Sequence, residues 1–157
     1  MRPSAHPQAL RVQAALGDGF TVVEFDESTH TAQEAADAIG CQLAQIAKSI
    51  LFRSAGGRPV LVIASGTNRV DEKKVKALLG EKIERASPDF VKEATGFEVG
   101  GVPPLGHANP CVIYLDDDLK VYPTLWAAGG TPNAVFEIGF AQLAKMSGAV
   151  VADIAKR

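Results

Sequence analysis

A nearly continuous apolar run over residues 59–64 places the strongest constraint on how this chain folds. Such a short run, bounded by turn residues, is typical of a strand that is buried on both faces. The turn at residues 55–58, which contains Gly56 and Gly57, directly precedes it. The sequence therefore predicts a β-hairpin whose second strand lies in the interior of a sheet.

The segment before that turn, residues 43–52, is predicted to be a strand that carries a lysine among apolar residues. Alternate residues of a strand share a face, so Lys48 shares its face with apolar side chains. These are Ala44, Ile46, Ile50 and Phe52. A lysine there is costly unless something receives its charge. Lys48 is either a side chain that extends its ammonium to the rim, covering apolar surface with its stem, or a functional cation.

The remaining pattern predicts more strands than helices. Strands are expected near residues 20–25, 82–85, 111–115, 119–122, 125–128 and 134–138, and helices near residues 4–16, 31–40, 71–79, 87–94 and 140–146. Some strands are joined by hairpins and others by helical connections. We therefore expect an α+β fold with a mixed, partly closed β-sheet or barrel flanked by helices.

Composition limits the function classes. The 157 residues are expected to form a single domain, residues 1–157, with a net charge of −2. This charge does not favour broad, non-specific binding to nucleic acid. Cys41 and Cys111 stand apart, which fits reduced thiols and a cytoplasmic protein. Three histidines and no cysteine cluster indicate no metal site, and no cofactor is expected. No apolar run reaches the roughly 20 residues of a membrane span.

Two loops rich in glycine and proline are candidate sites. In the first, residues 96–107, backbone N–H groups near Gly100 and Gly101 could receive an oxyanion. The alternative is an ordinary crowded turn. The second loop covers residues 129–133 and contains Gly129 and Gly130.

Two charged clusters have simpler interpretations. Residues 116–118 are three consecutive aspartates, and a solvated hairpin tip is favoured over a cation site. Lys73, Lys74 and Lys76 are expected on the outer side of a helix that Asp71 caps. With Arg69, they are candidates for a small basic surface.

The order of these features resembles the YbaK family, relatives of the editing domain inserted in bacterial prolyl-tRNA synthetase. The resemblance is carried by the Lys48 segment, the helix opened by Arg69-Val70-Asp71, the GGVPPLG loop at residues 100–106 and the GGTPN loop at residues 129–133. It covers about residues 20–155. The second loop is similar to that of the stand-alone ProXp-type branch.

The resemblance implies a trans-editing hydrolase that deacylates tRNA carrying the wrong small amino acid. Alanine, serine, threonine, cysteine and 2-aminobutyrate are the candidates, with tRNA(Pro) as the expected tRNA and prolyl-tRNA synthetase as a possible partner. The implied catalytic residues are Lys48, Gly100 and Gly101. The implied substrate-binding residues are Pro103, Gly129, Gly130, Thr131 and Asn133.

The residues fit an ester hydrolase that uses water. No serine–histidine–acid order is evident, and no GxSxG motif supports a generic esterase. Lys48 would bind the sugar-phosphate of the terminal adenosine or polarise the ester, and loop amides would receive the oxyanion. The alternative is a non-catalytic module that binds the tRNA end or a protein. No helix-turn-helix or RRM pattern is present, and DNA is not an expected partner.

Overall fold

The computed structural model describes residues 1–26 and 31–157. In these ranges the helices are α1 (Pro7–Leu16), α2 (Ala32–Ile39), α3 (Glu72–Leu79), α4 (Pro88–Thr95) and α5 (Phe140–Ser147). The strands are β1 (Arg2–Pro3), β2 (Val23–Glu24), β3 (Ile46–Ser54), β4 (Pro59–Ser65), β5 (Ile83–Arg85), β6 (Val112–Asp116), β7 (Leu125–Ala128), β8 (Ala134–Ile138) and β9 (Val150–Ala152). Two 3₁₀ segments cover Leu43–Gln45 and Asp117–Val121.

The strands form one mixed sheet, which confirms the expected α+β class. The order is β1-β2-β8-β7-β3-β4-β6-β9, and β5 pairs with β3. The β3–β7, β4–β6 and β6–β9 pairs are parallel, and the other pairs are antiparallel. The sheet is not closed into a barrel.

The central hairpin of β3 and β4 is formed as the sequence predicts. Leu61 and Ile63 point into the main core on one face of the sheet. Val60, Val62 and Ala64 belong to a second core on the opposite face. All five side chains are fully buried, so β4 is covered on both faces.

Two of the predicted strands differ from the structure: one begins later than expected, and the other does not form. Residues 43–45 are 3₁₀ rather than β, and the strand that carries Lys48 begins at Ile46. The predicted strand at residues 119–122 is wrong, because the chain continues from Asp116 into a 3₁₀ turn. The Asp116 carboxylate accepts a hydrogen bond from the Asp118 amide at 3.0 Å, and this local contact favours a turn over a hairpin. Leu119 is buried in the main core.

Helix ends follow their sequence signals because these contacts are local. The side chain of Thr31 accepts from the Glu34 amide, and α2 ends at Gly40 with φ 84°. Asp71 caps α3 by accepting from two amides, and Ser87 caps α4. In the described residues, every helix falls short of the length and apolarity that a membrane crossing requires.

Candidate functional site

A pocket of about 240 Å³ opens beside the first half of β3. Its wall combines α2, β7, the start of β8 and parts of both glycine-rich loops. The apolar side chains of the wall include Ala35, Ile46, Val102, Trp126, Ala127 and Val135. Polar side chains at this wall, within the described residues, are those of Thr31, Lys48, Ser49 and Thr131. The pocket is therefore a small apolar space whose wall includes a few polar residues.

An interruption in sheet pairing positions the pocket. On one edge of β3, Ile46 and Ala47 pair with β7, while pairing with β5 covers residues 52–54. Residues 48–50 of that edge pair with neither strand, and the Leu51 carbonyl oxygen accepts from the amide of Ala86, directly after β5. The other edge of β3 stays paired with β4 through this stretch, so the backbone is held rigidly.

Lys48 lies at this interruption. It is half-buried, and its Nζ donates a weak hydrogen bond to the Gly66 carbonyl oxygen at 3.5 Å. No carboxylate among residues 1–26 and 31–157 lies within ion-pair distance of this ammonium. Burial lowers the pKa of Lys48, as do the charges of Arg69 and Arg85, while Asp116 opposes this shift. Lys48 is therefore a cation without a paired anion at the pocket wall.

The first glycine-rich loop brings one of its two predicted oxyanion residues to the pocket. Gly100 is exposed, lines the pocket and has φ 93°. Gly101 is buried outside the lining, and its amide donates to the Glu98 carbonyl oxygen at 3.0 Å. A Cβ on Gly101 would lie 2.8 Å from the Thr131 Cα. In this conformation the Gly101 amide is engaged in a turn and does not face the pocket.

Pro103 is buried and also lies outside the pocket lining. Its carbonyl oxygen accepts a hydrogen bond from His107 Nε2 at 2.7 Å, because a carbonyl can only accept. Burial lowers the pKa of His107, and this hydrogen bond partly opposes the shift. The contact ties the two ends of this turn together, residues 103 and 107.

In the second loop, only one of the four predicted residues lines the pocket. Thr131 does so, and its hydroxyl donates to Asn133 Oδ1 at 2.9 Å. Asn133 in turn donates to the Phe25 carbonyl oxygen at 2.8 Å, tying the loop to the chain after β2. A Cβ on Gly129 would lie 2.6 Å from Val22 Cγ1, and one on Gly130 would lie 2.6 Å from the Gln8 carbonyl oxygen. These glycines allow close packing.

The lysines of the predicted basic surface on α3 differ in whether their charge is available to a ligand. Lys74 Nζ donates to Asp153 and to the Ala155 carbonyl oxygen, each at 2.8 Å, so its charge is engaged. Lys73 and Lys76 are exposed on the outer side of α3, as predicted.

The aspartate cluster has a structural role, and the predicted solvated tip is wrong for its first member. Asp116 is fully buried and accepts hydrogen bonds from the Ser65 amide and from Asn68 Nδ2. No group of three or more histidine, cysteine or acidic residues in the described ranges is arranged to hold a metal ion.

Several pocket residues are not identified by the sequence. Trp126 and the residues of α2 form part of the wall, which depends on the parallel pairing of β3 with a distant strand. Ser49 directly follows Lys48, and the predicted strand at Lys48 is the one signal that points toward it.

Comparisons with known proteins identify the family. The model of the aminoacyl-tRNA editing domain family matches residues 26–146. The uncharacterized protein YwhH of Bacillus subtilis is 40% identical over 126 residues, which cover 80% of each chain. The proline–tRNA ligase of Bacillus licheniformis is 40% identical over 94 residues, covering 59% of this chain and 16% of the ligase. A solved structure described as a candidate trans-editing enzyme for prolyl-tRNA synthetase has a TM-score of 0.92 at 46% identity, covering 98% of this chain and 100% of the other.

Proposed function

This chain belongs to the aminoacyl-tRNA editing domain family, and from that premise we propose that it deacylates mischarged aminoacyl-tRNA in trans. The proposed substrates carry a small amino acid: alanine, serine, threonine, cysteine or 2-aminobutyrate. The proposed tRNA is tRNA(Pro), and prolyl-tRNA synthetase is the proposed partner. The choice of tRNA(Pro) and prolyl-tRNA synthetase is supported by the similarity to a segment of proline–tRNA ligase and to the solved candidate trans-editing enzyme.

The observation that carries this proposal is a small apolar pocket with an unpaired cation at its wall. The pocket of about 240 Å³ suits an amino acid side chain of modest size. A pocket excludes larger side chains sterically, but it separates residues that differ by one methylene only by roughly 1–3 kcal/mol. Lys48 at the wall is available to an anionic or carbonyl group of the substrate because no carboxylate of the described residues neutralises it.

The proposed reaction is hydrolysis of the ester that joins the amino acid to the terminal ribose. Water attacks the carbonyl carbon and loses a proton, and a tetrahedral oxyanion forms. Its collapse breaks the bond to the ribose oxygen, which takes up a proton. The products are a free amino acid and an uncharged tRNA. In this proposal Lys48 holds the sugar-phosphate or polarises the ester, and the amide of Gly100 stabilises the oxyanion.

Single-turnover hydrolysis of a panel of mischarged tRNA(Pro) species tests the function. We expect at least one small aminoacyl ester to be cleaved far faster than its spontaneous hydrolysis, and prolyl-tRNA(Pro) to be spared. Prolyl-tRNA(Pro) is the matched control, because it tests whether the pocket excludes the larger prolyl group. Binding of the tRNA without cleavage of any ester would instead indicate a non-catalytic binding module.

A further inference from the structure

Among the described residues, the hydroxyl of Ser49 is the buried side-chain polar group that the fold leaves without a partner. Its Oγ is shielded from solvent and makes no hydrogen bond with any described residue. Buried polar groups in native proteins are nearly always paired, and each exception calls for an explanation. Leaving such a group unpaired costs free energy, which a ligand that pairs with it would recover.

The position of Ser49 indicates where that ligand lies. Ser49 is in the stretch of β3 that pairs with neither β7 nor β5, and it contributes to the pocket lining. Strand alternation puts its side chain on the face of Ala47 and Leu51, opposite to that of Lys48. Ala47 lines the same pocket and belongs to the main core. The pocket therefore reaches both faces of β3 at its open edge.

The surroundings limit the chemistry of the ligand group. The pocket is otherwise largely apolar, and the hydroxyl of Thr131 is already engaged with Asn133. A small group that both donates and accepts a hydrogen bond would satisfy Ser49. Among the small amino acids of the proposed substrates, the side-chain hydroxyl of serine or threonine has this property, the thiol of cysteine has it only weakly, and the methyl group of alanine lacks it.

We propose that Ser49 is a specificity-determining residue that selects hydroxyl-bearing amino acids, so that seryl and threonyl esters are preferred over alanyl and 2-aminobutyryl esters. This rests on the proposed deacylase function and narrows its substrates. Ser49 lines the pocket while its Oγ is shielded from solvent, so a ligand pairs with this hydroxyl only after a local rearrangement exposes it.

The selectivity ratio tests this proposal. Single-turnover rates on seryl-tRNA(Pro) and alanyl-tRNA(Pro) are compared in the parent protein, in Ser49→Ala and in the control Ser147→Ala. Ser147 lies on α5, and its hydroxyl donates to the Leu143 carbonyl oxygen. We expect the parent and the control to prefer the seryl ester by roughly tenfold, and Ser49→Ala to lose most of that preference. A parent ratio near one, or a ratio that Ser49→Ala leaves unchanged, overturns the proposal.

A melting measurement gives an independent readout. Because Ser49 has no partner in the described part of the protein, Ser49→Ala should melt at the same temperature as the parent or higher. A clearly lower melting temperature would show that the hydroxyl already serves the fold, and the proposal would fail.

Affinity measurements distinguish a failure of the Ser49 proposal from a failure of the proposed deacylase function. If no ester is cleaved, the deacylase function fails, and affinity is then measured with non-hydrolysable amide analogues of seryl- and alanyl-adenosine. Stronger binding of the seryl amide that disappears in Ser49→Ala supports the subsite. Equal binding of the two amides overturns it.

Discussion

Gly101 and Thr131 lie in such close contact that a Cβ on Gly101 would come within 2.8 Å of the Thr131 Cα. The carbonyl carbon and oxygen of Gly130 would each lie 2.9 Å away. The two glycine-rich loops therefore pack backbone against backbone at this point. Because Gly100 and Thr131 both line the pocket, the contact also sets the spacing of two pocket walls.

The first prediction is that Gly101→Ala lowers both stability and activity. The added methyl group meets backbone atoms that cannot rotate away, so one loop must shift. Overpacking of this kind costs about 1–3 kcal/mol, which thermal or urea unfolding measures. The rate per folded molecule should also fall, by up to about 10²-fold, because Thr131 moves with its loop and the pocket walls are misplaced.

Gly139→Ala is a suitable control for that experiment. Gly139 has φ −75°, and its added Cβ would meet the end of the Gln142 side chain at 3.1 Å, which can move. Gly139 is the N-cap of α5, where alanine is less favourable than glycine, so stability should fall by about 0.5–1 kcal/mol while the rate per folded molecule stays at the parental value. Equal melting temperatures for Gly101→Ala and the parent would contradict the close packing of the two loops.

The second prediction is that Lys48→Ala stays folded and loses most deacylation. Lys48 has a weak hydrogen bond to Gly66 and no ion pair within the described residues, so its removal deprives the fold of little. Loss of a group that stabilises the transition state typically costs about 10²–10³ in rate. Lys145→Ala, at an exposed position on α5, is the matched control. A near-parental rate at saturating tRNA would remove Lys48 from the mechanism.

The third prediction concerns pH. The folded-state pKa of Lys48 is lowered from 10.5, so between that lowered value and 10.5 the unfolded chain binds more protons than the folded chain. Stability attributable to this group therefore rises with pH across that window. Lys48→Met should be more stable than the parent at neutral pH, and the difference should shrink toward pH 10.5. Chemical unfolding across this range measures it, and a difference that stays constant would argue against the shift.

Local signals are readable from the sequence, whereas packing partners are not. The hairpin of β3 and β4 and the caps at Thr31 and Asp71 depend on neighbouring residues, and the structure confirms them. The pocket wall depends on β7 lying parallel to β3, some 80 residues away in the chain. No local pattern encodes that pairing. Gly130 stands out in the sequence, but the reason for a glycine there, its close approach to Gln8 on α1, comes from tertiary packing.

The fourth prediction is that deacylation survives removal of divalent metal ions. In the described residues, no cluster of histidine, cysteine and acidic side chains has the arrangement of a metal site. Prolonged dialysis against EDTA should leave the single-turnover rate unchanged. Loss of activity that zinc restores would require a metal-based mechanism in place of the one proposed with water and Lys48.

The fifth prediction is that Arg69 and Arg85 bind tRNA phosphates beside the pocket. Both charges lower the pKa of Lys48, and neither forms an ion pair within the described residues. Removing both by substitution with alanine should weaken tRNA binding. The slope of log affinity against log salt concentration should also become shallower, by about 0.7–0.9 for each phosphate that the protein no longer neutralises.

A second variant separates this site from the outer face of α3. Lys73→Ala combined with Lys76→Ala removes two exposed charges, while Lys74 is kept because its ammonium holds Asp153 and the Ala155 carbonyl oxygen. Lys145→Ala, at an exposed position on α5, serves as the control. A larger change of salt slope in the arginine variant would place the phosphates near Lys48. A larger change in the lysine variant would place the phosphates along α3. An unchanged slope in both variants would indicate that the tRNA binds to another surface.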